Sequence, residues 1–167
     1  RFSLLLALSL GAALFCPALS NDAAAYPVIQ QDLDSLSLRA DHIVMGTVEK
    51  VDSHFLAPGS SYIVTDVTIN VENRLLGESR SSRFVVRRLG GEVGKIGQIV
   101  YGEANFKLKD QVLLFAAERQ GVFYTVGMAQ GVMSIYVDPK GIQRVKGVVV
   151  SGHKLDDVVE RVRKTVL

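Results

Sequence analysis

The side chains of this sequence that could do chemistry are three imidazoles, a run of arginines and a lysine in a glycine-rich stretch. The imidazoles are His42, His54 and His153. A zinc centre needs three or four ligands converging at set spacing. Nothing here resembles the HExxH pattern, and the one thiol, Cys16, lies far from all three. The expectation is solvated or locally capping histidines, with no metal and no cofactor. Residues 89–97, Leu-Gly-Gly-Glu-Val-Gly-Lys-Ile-Gly, invite a phosphate-loop reading. That loop requires Ser or Thr after the lysine and then a helix whose N-terminus faces the anion. Ile96 follows Lys95, and Gly97 with Gly102 disfavours a helix, so the stretch reads as a flexible surface loop. No serine sits in a Gly-x-Ser-x-Gly setting, which leaves nucleophilic catalysis without a candidate.

Arg80, Arg83, Arg87 and Arg88 form the one local positive cluster. Arg83 and Arg87 project from the same side of a strand and could grip a carboxylate or a polyanion, with a solvated strand face as the simpler reading. Asp66, Asn70 and Glu72 likewise share one strand face and could in principle meet a cation, with the solvated polar face of an amphipathic strand as the preferred reading. The aromatic set of Phe84, Tyr101, Phe106, Phe115, Phe123, Tyr124 and Tyr136 could stack bases only beside a basic groove. Lys+Arg 19 against Asp+Glu 17 gives no electrostatic case for nucleic acid. The catalytic set is therefore empty. The candidates for contact with a partner are His54, Arg83, Arg87, Glu92 and Lys95.

The elements that position these residues are read from hydrophobic period. Residues 2–19 carry no charge, and the apolar stretch from Leu4 to Phe15 ends at Pro17 before Ala18-Leu19-Ser20. A basic start at Arg1, an apolar centre and small residues at the cut describe a secretory signal peptide over 1–20. Cleavage after Ser20 is expected, with Ala25 as the second choice. Phe15 before Cys16 argues against lipid attachment at that cysteine. Removal of the leader would discard Cys16, leaving a chain without thiols and with no stable membrane span, in the periplasm or secreted. Residues 21–28 read as a flexible tail and 29–167 as a single domain.

Within 29–40 the spacing of Leu33, Leu36 and Ala40, with Asp32 and Asp34 early and Arg39 late, predicts a short helix. The period then changes to two. Alternation over 63–72 predicts a half-buried strand, and 42–51, apolar on both faces around Gly46, predicts a strand covered on both sides or bent. A loop over 52–61 joins them. Further strands are expected at 83–89, 111–116, 122–128 and 132–137, the last turning through Asp138-Pro139-Lys140-Gly141 into 142–145. Residues 90–102 read as a long loop. Leu155, Val158, Val159, Val162 and Val166 repeat at helical spacing, with Asp156 and Asp157 first and Arg161, Arg163 and Lys164 later. That predicts a C-terminal amphipathic helix packed on the side or open end of the sheet. The fold class is α+β, mainly β, a small closed antiparallel barrel of about six strands.

Residues 35–48, Ser-Leu-Ser-Leu-Arg-Ala-Asp-His-Ile-Val-Met-Gly-Thr-Val, are followed by 63–72 with Leu76-Gly77, then Leu89-Gly90-Gly91, the segment from Phe106 to Phe115, Val126-Gly127 and Gln130-Gly131. In this order they resemble a group of uncharacterised exported bacterial β-barrel domains, over about residues 35–136. The strand plan of that group is similar to the OB-like barrel of netrin- and metalloproteinase-inhibitor-type domains. The resemblance implies a binding or inhibitory module. The animal inhibitors use disulfides and an N-terminal zinc-chelating Cys, which this chain lacks beyond its leader, so no functional residue of theirs carries over. The expected function is a non-catalytic exported binding module that recognises a protein or cell-envelope component through the loops at 52–61 and 90–102. A barrel-based hydrolase or metal-dependent accessory enzyme using His54 or the arginines is the alternative. Another is a carrier of lipid or another small apolar ligand, with Val67, Ile69, Val112 and Leu114 lining its cavity.

Overall fold

The computed structural model describes residues 29–78 and 81–167. The expected leader with Cys16, the tail over 21–28 and Arg80 lie outside the described residues. The first element is helix α1 (Leu33–Arg39), shorter than the stretch the spacing marks. Asp32 caps it, its carboxylate accepting the Ser35 N–H at 2.7 Å, which satisfies one of the free donors of the first turn. Leu33 and Leu36 point inward.

Two long antiparallel strands follow, β1 (His42–Phe55) and β2 (Ile63–Leu76). Both overrun their expected ends, so residues 52–55 belong to a strand and not to the loop. Gly46 is needed where they cross, because a Cβ there would collide with the Asn70 carbonyl oxygen. Strand β3 (Arg83–Leu89) has the expected bounds. The glycine-rich stretch after it is not a plain loop. It folds into a hairpin, β4 (Gly91–Val93) with β5 (Ile96–Gln98), turning at Gly94-Lys95. Gly90 and Gly91 have positive φ and lie so close to the Gln98 carbonyl and the Thr65 hydroxyl that no side chain fits. Low strand propensity concealed a strand pair that depends on missing side chains.

The remaining strands are β6 (Gln111–Arg119), β7 (Val122–Thr125), β8 (Val132–Val137), β9 (Gln143–Gly147) and β10 (Ser151–Lys154). A short 3-10 turn, Met128–Gly131, takes the end of the strand expected over 122–128. The Asp138 turn is as the sequence predicts. Its carboxylate accepts the Lys140 and Ile142 N–H groups at 2.9 and 3.0 Å and Arg144 Nε at 2.6 Å, holding Val137 opposite Gln143. Strand β10 was not expected. It places His153 on a strand and leads directly into helix α2 (Leu155–Val166).

Sheet order is β1-β2-β3-β7-β6-β8-β9-β10, and β6 also pairs with β1. All pairings are antiparallel except β3 with β7, which meet in parallel at Arg87 and Tyr124. The expected antiparallel arrangement of about six strands is thus corrected to a mixed sheet of eight with a separate two-stranded hairpin. The miss has a simple cause: strand count follows from local pattern, whereas direction follows from how connections run.

Strand β6 is buried on both faces and divides the core. Val112, Leu114 and Ala116 join Val44, Val48, Val67, Ile69, Phe84 and Val86 in an inner cluster, completed by Ala104 and Phe106 from the segment before β6. Val67, Ile69, Val112 and Leu114 are each at most 2% exposed there, packed together with phenylalanines. Leu113 and Phe115 face the opposite way and meet Leu36, Met133, Val145, Leu155, Val158 and Val162. The apolar stripe of α2 therefore lies on the outer side of the sheet beside α1. Arg161 bonds both Asp34 oxygens, at 3.0 and 2.8 Å, and ties the helices. Each fully buried Leu, Ile, Val or Phe contributes about 1.5–3 kcal/mol, so these clusters dominate the fold's stability. Among the described residues no helix is long and apolar enough to cross a membrane.

Candidate functional site

Alternation along β3 sends Phe84 and Val86 into the inner cluster and Arg83 and Arg87 outward, as their spacing predicts. Neither guanidinium is free. Arg87 lies opposite Asp66 on β2 and donates to it twice, Nε to Oδ1 at 2.7 Å and Nη2 to Oδ2 at 2.8 Å. Arg83 makes the same forked pair with Glu49 of β1, at 2.8 and 2.7 Å, across the strand between them. Glu49 reaches that far because the β1 and β2 register slips between Val48 and Lys50, where it stands unopposed.

His54 completes a row over three strands, with Nε2 3.1 Å from Asp66 Oδ2 and Nδ1 2.9 Å from the Phe55 carbonyl oxygen. Both ring nitrogens face acceptors. The Phe55 carbonyl, and after it the Asp66 carboxylate, raise the His54 pKa by favouring the doubly protonated ring. The Asp66 carboxyl is lowered, first by Arg87 and then by His54. A general base needs a free lone pair, which this His54 geometry does not offer, and a cation needs free carboxylate oxygens, which Asp66 does not offer. His54 sits on a strand and not in the loop expected for it.

The other imidazoles have different surroundings. The His42 ring packs edge-on against Phe123 at 4.8 Å between centroids and tilted against Phe84 at 5.4 Å. Burial, and next the charge of Arg74, lower its pKa. His153 is exposed on β10. Among the described residues no group of three or more His, Cys, Asp or Glu is placed to hold a metal ion. Glu92 and Lys95 are exposed on the β4–β5 hairpin, with Lys95 at its turn. Lys95 is thus followed by a strand, and the helix that a phosphate loop requires is not there.

The structure does bring the two loop regions together. The Leu56 N–H bonds the Tyr62 carbonyl, the Gly90 N–H bonds the Ile63 carbonyl, and Gln98 Oε1 accepts the Ile63 N–H at 2.7 Å. The residues at 56–62 and the hairpin with its exit therefore occupy one end of the sheet. These segments carry exposed apolar side chains: Leu56, Tyr62, Ile96, Ile99 and Tyr101, the last two 84% and 92% exposed. Their spacing in the sequence is irregular, and only Tyr101 was singled out beforehand.

A second region gathers residues that the sequence reading did not connect. Beside the seam of β3 and β7 lies an open cavity of about 700 Å³, lined among others by Arg39, Arg87, Arg119, Glu103, Tyr124 and Met128. Burial raises the Glu103 carboxyl, opposed by hydrogen bonds from the Leu89 and Ala104 backbone. Met128 holds a positive φ of 60°, uncommon for a residue with a side chain. These residues come from α1, β3, β6, β7 and two connecting segments. Compared with models of known protein families, with curated proteins and with solved structures, the chain matches none.

Proposed function

We propose that the chain is an exported, non-catalytic binding module that seats a protein partner of the cell envelope or its surroundings on its loop end. The observation that carries this reading is the hydrogen bonding that joins the 56–62 loop to the 91–98 hairpin, with Tyr62, Ile96, Ile99 and Tyr101 exposed on these segments and on the hairpin's exit. Exposed tyrosines and aliphatics, with Glu92 and Lys95 beside them, have the composition of an interface centre with a polar rim. Loops held on a rigid sheet are also where recognition residues concentrate.

The barrel plan of netrin- and metalloproteinase-inhibitor-type domains belongs to the same proposal. It is supported by the cycle of pairings β1-β2-β3-β7-β6 and back to β1, with β3 and β7 parallel. Such a cycle leaves its five strands without free edges. Periplasmic or secreted location follows in the proposal from the apolar leader over 1–20.

The test is capture from an envelope fraction on the immobilised chain, read by mass spectrometry. A partner retained by the unaltered chain and lost by the Ile99→Ser, Tyr101→Ser double variant, at unchanged melting temperature, is expected. Retention by both refutes the loop end as the interface. Turnover of ester, phosphate or peptide substrates that vanishes on changing one loop residue would overturn the reading as a whole.

A further inference from the structure

From the cavity beside the β3 and β7 seam we infer that the protein binds a phosphate-bearing ligand there, gripped by Arg39 and Arg119 with Arg87 at its wall. Three arginines from three separate elements line this one cavity. Over the whole sequence basic and acidic residues nearly cancel, so the concentration is local. Arg87 is neutralised by Asp66, and its two bonds to that carboxylate hold its guanidinium in place. Arg39 donates one bond, from Nη1 to Gln31 Oε1 at 2.9 Å, and keeps its other donors. Arg119 makes no side-chain hydrogen bond or ion pair with another described residue. Its replacement therefore breaks no side-chain hydrogen bond or ion pair among the described residues.

The one carboxylate lining the cavity, Glu103, is half-buried, and the Leu89 and Ala104 backbone favours its charged form. Counting Asp66 and Glu103 against the three arginines leaves an excess of positive charge that one phosphate group balances. A guanidinium offers planar pairs of N–H donors that match phosphate oxygens two at a time. Leu89, Val126 and Met128 give the same cavity an apolar wall, suited to the organic part of a phosphate ester. This inference uses other residues than the loop-end interface, and its variants leave Ile99 and Tyr101 in place.

The experiment is isothermal titration of the full chain with inorganic phosphate and with glycerol phosphate at pH 7 and constant ionic strength, with sodium chloride as the control anion. Saturable binding is expected. Arg119→Gln should weaken it about tenfold, the loss of one charge-assisted contact, at unchanged melting temperature. Lys146→Gln, which removes the same charge from β9, should leave it unchanged. A second arm uses vesicles of phosphatidylglycerol. Vesicle binding displaced by inorganic phosphate makes the ligand a lipid headgroup, and binding of the soluble ester without vesicle binding makes it a free phosphate compound. Heat indistinguishable from the chloride control in both arms overturns the site, as does equal affinity of the unaltered chain and the Arg39→Gln and Arg119→Gln variants.

Discussion

Arg83 and Arg87 show how burial sorts two chemically identical ion pairs. Each grips a carboxylate with two bonds, but the Arg83 side chain is 66% exposed and that of Arg87 is 19% exposed. Solvent screens the first pair and much less the second. His54 adds a pH dependence to the second. Its folded pKa is raised above the ordinary 6.5, so its contribution is complete below that value and is lost as pH rises through the folded pKa. Asp66 is lowered from 3.8, so its contribution is present above that value and is lost as pH falls through the folded pKa. The pair is strongest between about pH 4 and 6.5. His54→Gln should therefore lower the melting temperature at pH 5.5 and have little effect at pH 8.5, which thermal unfolding at the two pH values reads. The effect stays below about 1 kcal/mol, because the side chain is 42% exposed and solvent screens the pair. Of this row, the common face of Arg83 and Arg87 was legible from their spacing of four. Their acceptors were not, since finding Asp66 and Glu49 requires knowing which strands are neighbours and where the register slips.

Strand β1 depends on Gly46 because it is pressed between β2 and β6 over the same residues. Gly46→Ala drives a methyl group into the Asn70 carbonyl oxygen, which must shift the β1 and β2 ladder. A cost of roughly 2–3 kcal/mol is expected, seen as a lower urea midpoint. Gly141→Ala is a weaker case: a Cβ there meets nothing within 4 Å, and only its φ of 78° strains the turn. Residues 42–51, apolar on both faces, read as a strand covered on both sides or bent at a glycine, and Ile43 does join the outer cluster while Val44 and Val48 join the inner one. The β8–β9 hairpin was readable because Asp138, Pro139 and Gly141 encode a turn locally. The β4–β5 hairpin was not. Its residues lack strand propensity, and Gly90 and Gly91 let it lie against β2 where no larger residue fits.

At the scale of the molecule the chain is two apolar layers sharing β6. The inner cluster lies between strands, and the outer one lies between the sheet and both helices. Removing α2 would leave Leu113, Phe115, Met133 and Val145 facing water, a set no other element covers fully. A chain ending at Lys154 should lose its sharp thermal transition and bind a hydrophobic dye, whereas the full chain does neither. Retention of a sharp transition in the truncated chain would show that the sheet and α1 suffice. The two pairings that close the strand cycle are distant in sequence: β1 meets β6 about seventy positions on, and β3 waits for β7. Such closure is slow relative to helix formation, since loop entropy is lost before those contacts form.

By itself the sequence determined the longer elements. Period-two alternation marks strands, the final helical stripe marks α2, and the Asp138 turn marks its hairpin, because each signal lies within a few residues and needs no partner to be recognised. Tertiary structure alone decided the strand directions, the forked pairs of Arg83 and Arg87, the joining of two loops at one end, and the meeting of Arg39, Arg87 and Arg119 at one cavity. Those residues are separated by 48 and 32 positions. What places them side by side is the parallel seam of β3 with β7 and the docking of α1 against β6, and side-chain packing sets both.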